Sequence, residues 1–489
     1  MKSLESIAQF FALKSAILQP GLVVKGLSLD SRQIQPGWVF VALAGENQHG
    51  ADYWQQAKSL GAVGIVSDRS IGESDLPVFV IKDLNTRLAD FAAWFYDHPS
   101  QKLQLIGITG TNGKTSTTQY IAQLLEAQGL ACGVLGTLGN GRLNQLEPSA
   151  NTTMDVVALN GWLHCFVQQG YPYAVLEVSS HAIALGRIAG LRFACVGLTQ
   201  VSRDHLDFHR DLLDYQATKK RLFSDFPSQH KVVNLDDSIG LEIAESQPGR
   251  VVTYSQQNPL ADLYLSDVTL SANGMAGCLQ YRYQEYGFNT GLIGRFNLEN
   301  SLCALSCLLA VGLSVKKMTE NLALLRAIVG RMEKVVCHNS ARNVALNVLV
   351  DFAHTPDALE QVLLSIRAHL TTEKLWLVFG CGGNRDAGKR PLMAQVAERL
   401  ADKIILTNDN PRFEDPKVII EDICQGLSED SRAKVHIEYD RQAAIEYALD
   451  NAQAGDWVLL AGKGHENYQD IGGVKTPFSD QQVITAWQQ

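Results

Sequence analysis

The sequence predicts an α/β protein of three domains: a small N-terminal α/β domain, a central P-loop ATPase with a mostly parallel sheet, and a C-terminal Rossmann-like domain. Three observations lead there. The chain has 489 residues, about three domains at roughly 150 residues each. From Leu103 onward, β-rich apolar runs alternate with helical patterns, as parallel strands joined by crossover helices do. After Gly330-Arg331 a second alternating set begins.

Residues 1–99 make the first domain. MKSLESIAQFFALKSAILQPG breaks its apolar residues with Glu5, Gln9 and Lys14, which suits an amphipathic helix and not a secretory leader. Trp38–Leu43, Val63–Val66 and Val78–Ile81 are short strand candidates, and Asp97-His98-Pro99-Ser100 reads as a linker.

Residues 100–333 make the second. Leu103–Thr109 is a strand, followed by a Gly-containing turn and a helix in which Tyr120, Ile121, Leu124 and Leu125 recur at helical spacing. Gly129 falls where a helix ends. Further strands are expected at Tyr173–Val178, Ala194–Gln200, Lys231–Asn234 and Val251–Tyr254.

Residues 334–489 make the third. Strand Leu346–Asp351, helix Pro356–Leu370, strand Lys374–Gly380, a helix through Met393–Leu400, strand Lys403–Thr407 and strand Asp456–Ala461 follow one another, a doubly wound pattern.

Composition narrows the function. With 46% hydrophobic and 19% charged residues the chain can build several cores, which excludes a disordered protein. Lys+Arg 42 against Asp+Glu 51 gives a net charge of −9, which argues against a nucleic-acid binder. No apolar run reaches the ~18 residues of a membrane span. Nine cysteines, odd in number and without a C-x-x-C pair, read as the thiols of a cytoplasmic protein and not as a disulfide or zinc framework.

The chemistry starts at Gly110-Thr111-Asn112-Gly113-Lys114-Thr115-Ser116. Between a strand and a helix, the loop amides and the helix N-terminus point at an anion. Lys114 would reach the β- and γ-phosphates of ATP, and the Thr115 hydroxyl would sit on Mg²⁺. The strict pattern G-x-x-x-x-G-K-S/T wants glycine where Ile108 stands, so the context carries the reading. Glu177 in LEVSSH and His205 in SRDHLDFH lie at or past other strand ends. Their shared edge suits a metal held beside phosphates.

In the third domain four strand ends converge: Asp351–His354, Gly380–Arg385, Asp409–Arg412 and Gly462–Glu466. Arg385 and Arg412 are forks for carboxylates, whereas Asp409 and Glu466 can receive an ammonium. Such a pair of opposite functions fits the zwitterionic end of an amino acid.

The strings GTNGKT, EVSSH, SRDHLDFH, YQATK, GRFNLEN, GRME, DFAHTPDAL, GCGGNRDAGKR, DNPR and AGKGHE run in order from the central domain to Glu466. With these strings the chain resembles the Mur ligases over nearly its whole length. The resemblance implies a cytoplasmic, ATP-dependent amide ligase of peptidoglycan precursor synthesis that works through an acyl phosphate. Its partners would be small molecules only, and it would act as a monomer.

By the same resemblance Lys114 clamps the γ-phosphate, Thr115 and Glu177 bind one Mg²⁺, and His205 helps to hold a second. Lys219 in YQATKKRLF matches the family lysine that is N-carbamylated into a metal ligand, with Lys220 as the adjacent alternative. Asn297, Arg331 and Asp351 resemble the adenine, phosphate and ribose contacts, completed when the C-terminal domain closes. His354 would be a loop residue near the phosphates. For Asp351 a structural role ahead of the Thr355-Pro356 helix start stays open.

A UDP-linked peptide substrate would be read by Leu29, Ser31 and Glu46-Asn47-Gln48, then by Asn151-Thr152-Thr153, Ser179, Leu185 and Arg187. The chain departs from the family pattern at His49, Met154 and Leu185, and the last puts one substrate hydrogen bond in doubt. By the resemblance, Asp409-Asn410-Pro411-Arg412 is the string that in this family goes with meso-diaminopimelate, a lysine carrying one more carboxylate, and Arg385, Gly462 and Glu466 would line the same site.

Overall fold

The computed structural model of the chain describes residues 2–13, 21–45, 48–202, 204, 208–247, 251–339 and 344–488. The chain divides into two compact units: Met1–Tyr264 with Gln280–Gln284 and Asn300–Met318, and Leu265–Leu279 with Glu285–Glu299 and Thr319–Gln489. Among the described residues no helix is long and apolar enough to cross a membrane.

The first unit begins with four parallel strands in chain order, Gly26–Ser28, Trp38–Ala42, Gly64–Ser67 and Val78–Val80. Helix Leu4–Phe10 buries Leu4, Ile7 and Ala8, and helix Leu84–Phe95 buries Leu84, Leu88 and Phe91 in the same core. Each apolar set repeats at three or four residues, the stripe a helix turns toward a sheet. Tyr96 closes the region: its hydroxyl accepts the Leu27 amide at 3.0 Å.

Six neighbouring strands of the main sheet are parallel, in the order Cys132–Gly136, Tyr173–Glu177, Gln104–Thr109, Phe193–Leu198, Ser228–Asn234 and Val251–Ser255. Strands Gly139–Arg142 and Gln145–Glu147 add an antiparallel edge. Being covered on both faces, the central strands read as continuous apolar runs. This order matters for function. Gln104–Thr109 lies between Tyr173–Glu177 and Phe193–Leu198, with Glu177 opposite Ile108 and Leu198 opposite Thr109. Three loops therefore leave one edge side by side.

The second unit holds a six-stranded sheet in the order Glu333–Asn339, Val344–Asp351, Trp457–Ala461, Leu375–Phe379, Lys403–Leu406 and Val435–Ile437. The last five strands are parallel, and Glu333–Asn339 pairs antiparallel with Val344–Asp351. The expected helix from Pro356 ends at Arg367 and not at Leu370. Beyond it, His369 turns its ring to accept the Gly294 amide at 3.1 Å and to donate to the Ser271 carbonyl at 2.7 Å. Thr355 caps this helix through the Ala358 amide, with Pro356 in the first turn.

Candidate functional site

The loop after Gln104–Thr109 turns through Gly110, at φ +153°, and Gly113, at φ +85°, into helix Lys114–Glu126. A Cβ at Gly110 would fall 1.8 Å from the Thr199 hydroxyl, and one at Gly113 would fall 2.2 Å from Asn300 Oδ1. Only glycine fits either place. Gly113 gives the helix no side-chain cap, whereas Asp155 and Asp237 cap theirs. A bare helix N-terminus is what an anion-binding turn needs. Neighbouring loops hold the turn: Thr111 N–H donates to Gln200 O at 2.7 Å, Thr199 Oγ1 to Asn112 O at 2.6 Å, and Thr111 pairs with the Tyr215 hydroxyl at 2.9 Å.

Lys114 Nζ folds onto the carbonyls of Gly110 and Thr111, both at 2.8 Å. Thr115 Oγ1 donates to Glu177 Oε2 at 2.8 Å. Glu177 is buried at the strand end beside Gly136, where a Cβ would come 2.2 Å from Oε1. It also accepts the Thr137 amide at 2.9 Å and hydroxyl at 3.1 Å. Burial pushes its carboxyl above the ordinary value, while Thr137, Lys114 and Thr115 pull it back. The charged form of a carboxyl buried in this way is favoured by a cation beside it.

Lys219, on helix Leu212–Ser224, is almost wholly buried. Its Nζ donates to Gly110 O at 2.7 Å and stands 4.6 Å from the centre of the Tyr215 ring. Burial, and next the Lys114 ammonium, hold its amine well below the usual lysine range. Lys220 points instead to Glu242 at 2.6 Å on the surface. Of the two lysines, Lys219 is the one against the loop. Ser116 is buried in the helix, and Asn112 is exposed at the turn. His205 lies outside the described residues, as do Glu46 and Asn47.

A second group meets Glu177 from the side. Thr153 Oγ1 donates to Glu177 O at 2.8 Å and accepts the Ser179 amide at 3.1 Å, while Arg187 donates to Thr153 O at 2.8 Å. Thr152 Oγ1 accepts from Thr137 at 3.1 Å, and Asn151 O accepts from Ser149. Leu185 is exposed at the end of helix Ser180–Ala184, and Met154 is buried in the core. In the N-terminal sheet Leu29 is half-buried, Ser31 donates to Gln56 at 2.7 Å, and Gln48 accepts from Tyr53. His49 caps the turn Gly50–Tyr53 through Nδ1, as an aspartate would, and its other nitrogen lies 2.8 Å from Asp68.

In the second unit the strand ends Asp351, Phe379, Leu406 and Ala461 share one sheet edge. Asp351 accepts the amides of Met332 and Ala353, both at 2.7 Å, so it ties the Gly330–Glu333 bend to its strand. Burial raises its carboxyl. Arg331 lies 4.9 Å over the Phe352 ring, Asn297 donates to Ile293 O at 2.9 Å, and His354 is exposed.

Asp409-Asn410-Pro411-Arg412 packs against Gly380–Gly383, where a Cβ on Gly383 would meet Pro411 O at 1.9 Å. Arg412 adopts φ +51° and donates from Nη1 to Gly383 O at 2.8 Å. Its amide donates to Asp470 O at 3.0 Å and its carbonyl accepts Gly472 N–H at 2.6 Å, both in the hairpin Tyr468–Ile471/Val474–Pro477. Asn410 donates to Glu466 Oε2 at 2.9 Å. Asp409 Oδ1 is buried with no hydrogen-bond donor. Gly462, at φ +108°, lies beside that carboxylate, where a Cβ would come 3.8 Å from Asp409 Cγ, and Arg385 is exposed at the loop.

Known proteins carry the same organisation. The Mur ligase family catalytic domain matches residues 23–96, the Mur ligase middle domain residues 108–308, and the Mur ligase glutamate ligase domain residues 330–464. UDP-N-acetylmuramoyl-L-alanyl-D-glutamate--2,6-diaminopimelate ligase of Vibrio vulnificus is 42% identical over 94% of this chain and 94% of its own. The chain belongs to the Mur ligase family. A solved structure of a ligase with that same name superposes with TM-score 0.73 at 36% identity, covering 98% of each chain. The Thermotoga maritima MurF ligase, solved with ADP, shares the fold at TM-score 0.63 and 18% identity, covering 91% of this chain and 95% of that one.

For a Mur ligase the sequence reading left out three groups that the fold brings in. Thr137 supplies two of the hydrogen bonds to Glu177, Tyr215 braces both Thr111 and Lys219, and Lys463 lies beneath Asp409 and Glu466. None sits at a spacing that periodicity marks. Among the described residues no three His, Cys, Asp or Glu side chains form a metal cage. Mg²⁺ needs none, since it takes one or two protein oxygens and fills its shell with water and phosphate. The buried Glu177 carboxylate beside the Thr115 hydroxyl fits that donor set.

Proposed function

We propose that this chain is the Mur ligase that joins meso-diaminopimelate to the D-Glu γ-carboxylate of UDP-N-acetylmuramoyl-L-Ala-D-Glu, at the expense of ATP. The supporting observation is the DNPR turn: Arg412, held by backbone bonds on both sides, stands in one loop with a buried Asp409 oxygen that has no donor. A carboxylate receptor and an ammonium receptor on one edge suit the free end of diaminopimelate.

A carboxylate is a poor electrophile at neutral pH, so the reaction proceeds in two steps. The γ-carboxylate oxygen of the peptide attacks the γ-phosphorus of ATP, the bond to ADP breaks, and an acyl phosphate forms. The neutral amine of the amino acid then attacks the acyl carbon, phosphate leaves with the bonding pair, and the amine loses its proton.

The chain's residues bind and neutralise. The Gly110–Gly113 amides and Lys114 cradle the phosphates, and Lys114 swings off the Gly110 and Thr111 carbonyls to do so. Thr115 and Glu177 would hold Mg²⁺, which when bound would offset the charge of the transferring phosphoryl group. Lys219, whose amine is held by burial well below the usual lysine range, takes up CO₂: an N–C bond forms, a proton leaves, and the carbamate adds a carboxylate-like oxygen at this edge. His205 completes the set. Thr152, Ser179 and Arg187 hold the peptide end beside Glu177, while Leu29, Ser31 and Gln48 read the nucleotide end. Asn297, Arg331 and Asp351 serve adenine, phosphate and ribose. The division into 1–99, 100–333 and 334–489 then assigns one ligand to each domain, and the protein works as a cytoplasmic monomer.

Phosphate release from ATP tests the reading. It is expected to need both the UDP-muramoyl dipeptide and meso-diaminopimelate, with lysine a poor replacement. Hydrolysis of ATP without either acceptor, or equal use of lysine, overturns it.

A further inference from the structure

Lys463 stands between two glycines of positive φ, Gly462 at +108° and Gly464 at +53°. Between these left-handed positions the lysine points inward, where its side chain has 0% exposure. A lysine in such a place is costly to bury unless its donors and its charge are matched. Nζ donates to Tyr468 O at 2.9 Å and Asn410 Oδ1 at 3.1 Å, and its charge faces Asp409 Oδ1 at 3.4 Å and Glu466 Oε2 at 3.7 Å.

We propose that Lys463 is a positioning residue of the amino-acid site, holding Asp409, Asn410 and Glu466 in the arrangement that receives the ammonium of the incoming amino acid. The inference rests on the assignment of Asp409 and Glu466 to that ammonium.

Two arguments carry it. The first is orientation. Asn410 Oδ1 accepts from both Lys463 and the Asp470 amide, at 3.1 and 2.9 Å, so its Nδ2 faces Glu466 Oε2. Because an ammonium can only donate, Lys463 fixes which end of the Asn410 amide is the acceptor, and through it the Glu466 carboxylate. The second is charge. Asp409 and Glu466 carry two negative charges against the one positive charge of Lys463. The adjacent Arg441 is already matched by Asp480, through bonds of 2.8 and 2.7 Å. One negative charge is left over, which one ammonium neutralises. The Asp409 oxygen that faces Lys463 is 3.4 Å away and makes no hydrogen bond to it. A donor from the ligand has a place to go.

The test is steady-state kinetics of Lys463→Met, which keeps the stem and loses the charge, and Lys463→Gln, which keeps a donor and loses the charge. With the charge-assisted bonds removed, KM for meso-diaminopimelate is expected to rise about tenfold or more, while KM for ATP and kcat at saturating amino acid stay near wild type. A role in core stability alone would lower the melting midpoint or kcat and leave that KM in place. A diaminopimelate KM within twofold of wild type in either soluble variant overturns the proposal. Should Lys463→Met not fold, Lys463→Gln is read by the same criterion. Glu466→Gln and Arg412→Ala serve as controls: if they leave the diaminopimelate KM unchanged the underlying assignment fails, whereas if they raise it and the Lys463 variants do not, the Lys463 inference alone fails.

Discussion

Replacing Arg412 separates the turn from its side chain, because the main chain and the guanidinium are held by different partners. At φ +51° the backbone sits where glycine is at ease, so Arg412→Gly removes the fork while the bonds to Asp470 and Gly472 stay. One guanidinium nitrogen is committed to Gly383 O at 2.8 Å, which leaves the rest of the fork to meet a carboxylate. Truncating one partner of a buried charge pair costs about 2–5 kcal/mol, and about 1.4 kcal/mol is tenfold. KM for meso-diaminopimelate should therefore rise by about 30-fold to several thousandfold in Arg412→Gly. Arg412→Lys keeps the charge and loses the second hydrogen bond, worth about 1.5–3 kcal/mol, so a smaller rise of about 10- to 150-fold follows. Lysine lacks the distal carboxylate and should be affected far less, so the preference for diaminopimelate narrows. The assay is phosphate release against amino-acid concentration, with KM for ATP as the internal control. An unchanged ratio of kcat/KM for the two amino acids refutes the reasoning.

Glu177→Gln removes a carboxylate whose charge burial disfavours, and its Thr115 and Thr137 hydroxyl partners can reverse their bonds. The ligand-free variant should melt no lower than wild type while phosphate release falls about a hundredfold or more; a lower midpoint with activity kept would contradict both halves. Lys219→Ala should lose most activity and regain part of it with added short carboxylic acids, and near wild-type turnover would remove the carbamate from the mechanism. His369 predicts a pH effect. Burial holds its ring below the ordinary value of 6.5, so the unfolded chain takes up the proton more readily. The stability it contributes is present above that value and is lost as pH falls through the folded one. The melting midpoint of wild type should drop on acidification more steeply than that of His369→Gln; parallel profiles would show that the ring does not titrate in this way.

Much of the nucleotide edge was legible because its cause is local. Gln104–Thr109 reads as a buried strand, the Gly-Lys-Thr turn follows at once, and Glu177 marks the end of another apolar run. What the sequence hid depends on distance. Glu177 meets Thr137 across 40 residues, and Lys463 meets Asn410 across 53, pairings that no periodicity encodes. Lys219 and Lys220 looked alike because adjacent residues on a helix face different ways, and only packing against Gly110 decides which is inside. The antiparallel strand Glu333–Asn339 was missed since it crosses the joint where the second alternating pattern begins. Conversely, the His49 departure loses its weight once the ring is found capping Ala51 N–H.

The hairpin Tyr468–Pro477 gives the Asp409–Arg412 turn, the proposed specificity element, a size that its four letters conceal. Arg412 is stitched to Asp470 and Gly472, Asn410 to Asp470, and Asp409 O to the Gln469 amide. A graft that moved Asp409–Arg412 alone would leave behind the backbone partners that hold Arg412 in its left-handed conformation. The smallest transplantable element is the turn together with the AGKGHE loop and the hairpin behind it. On the proposed assignment, amino-acid preference rests on two distant segments of the chain that are held together by backbone bonds.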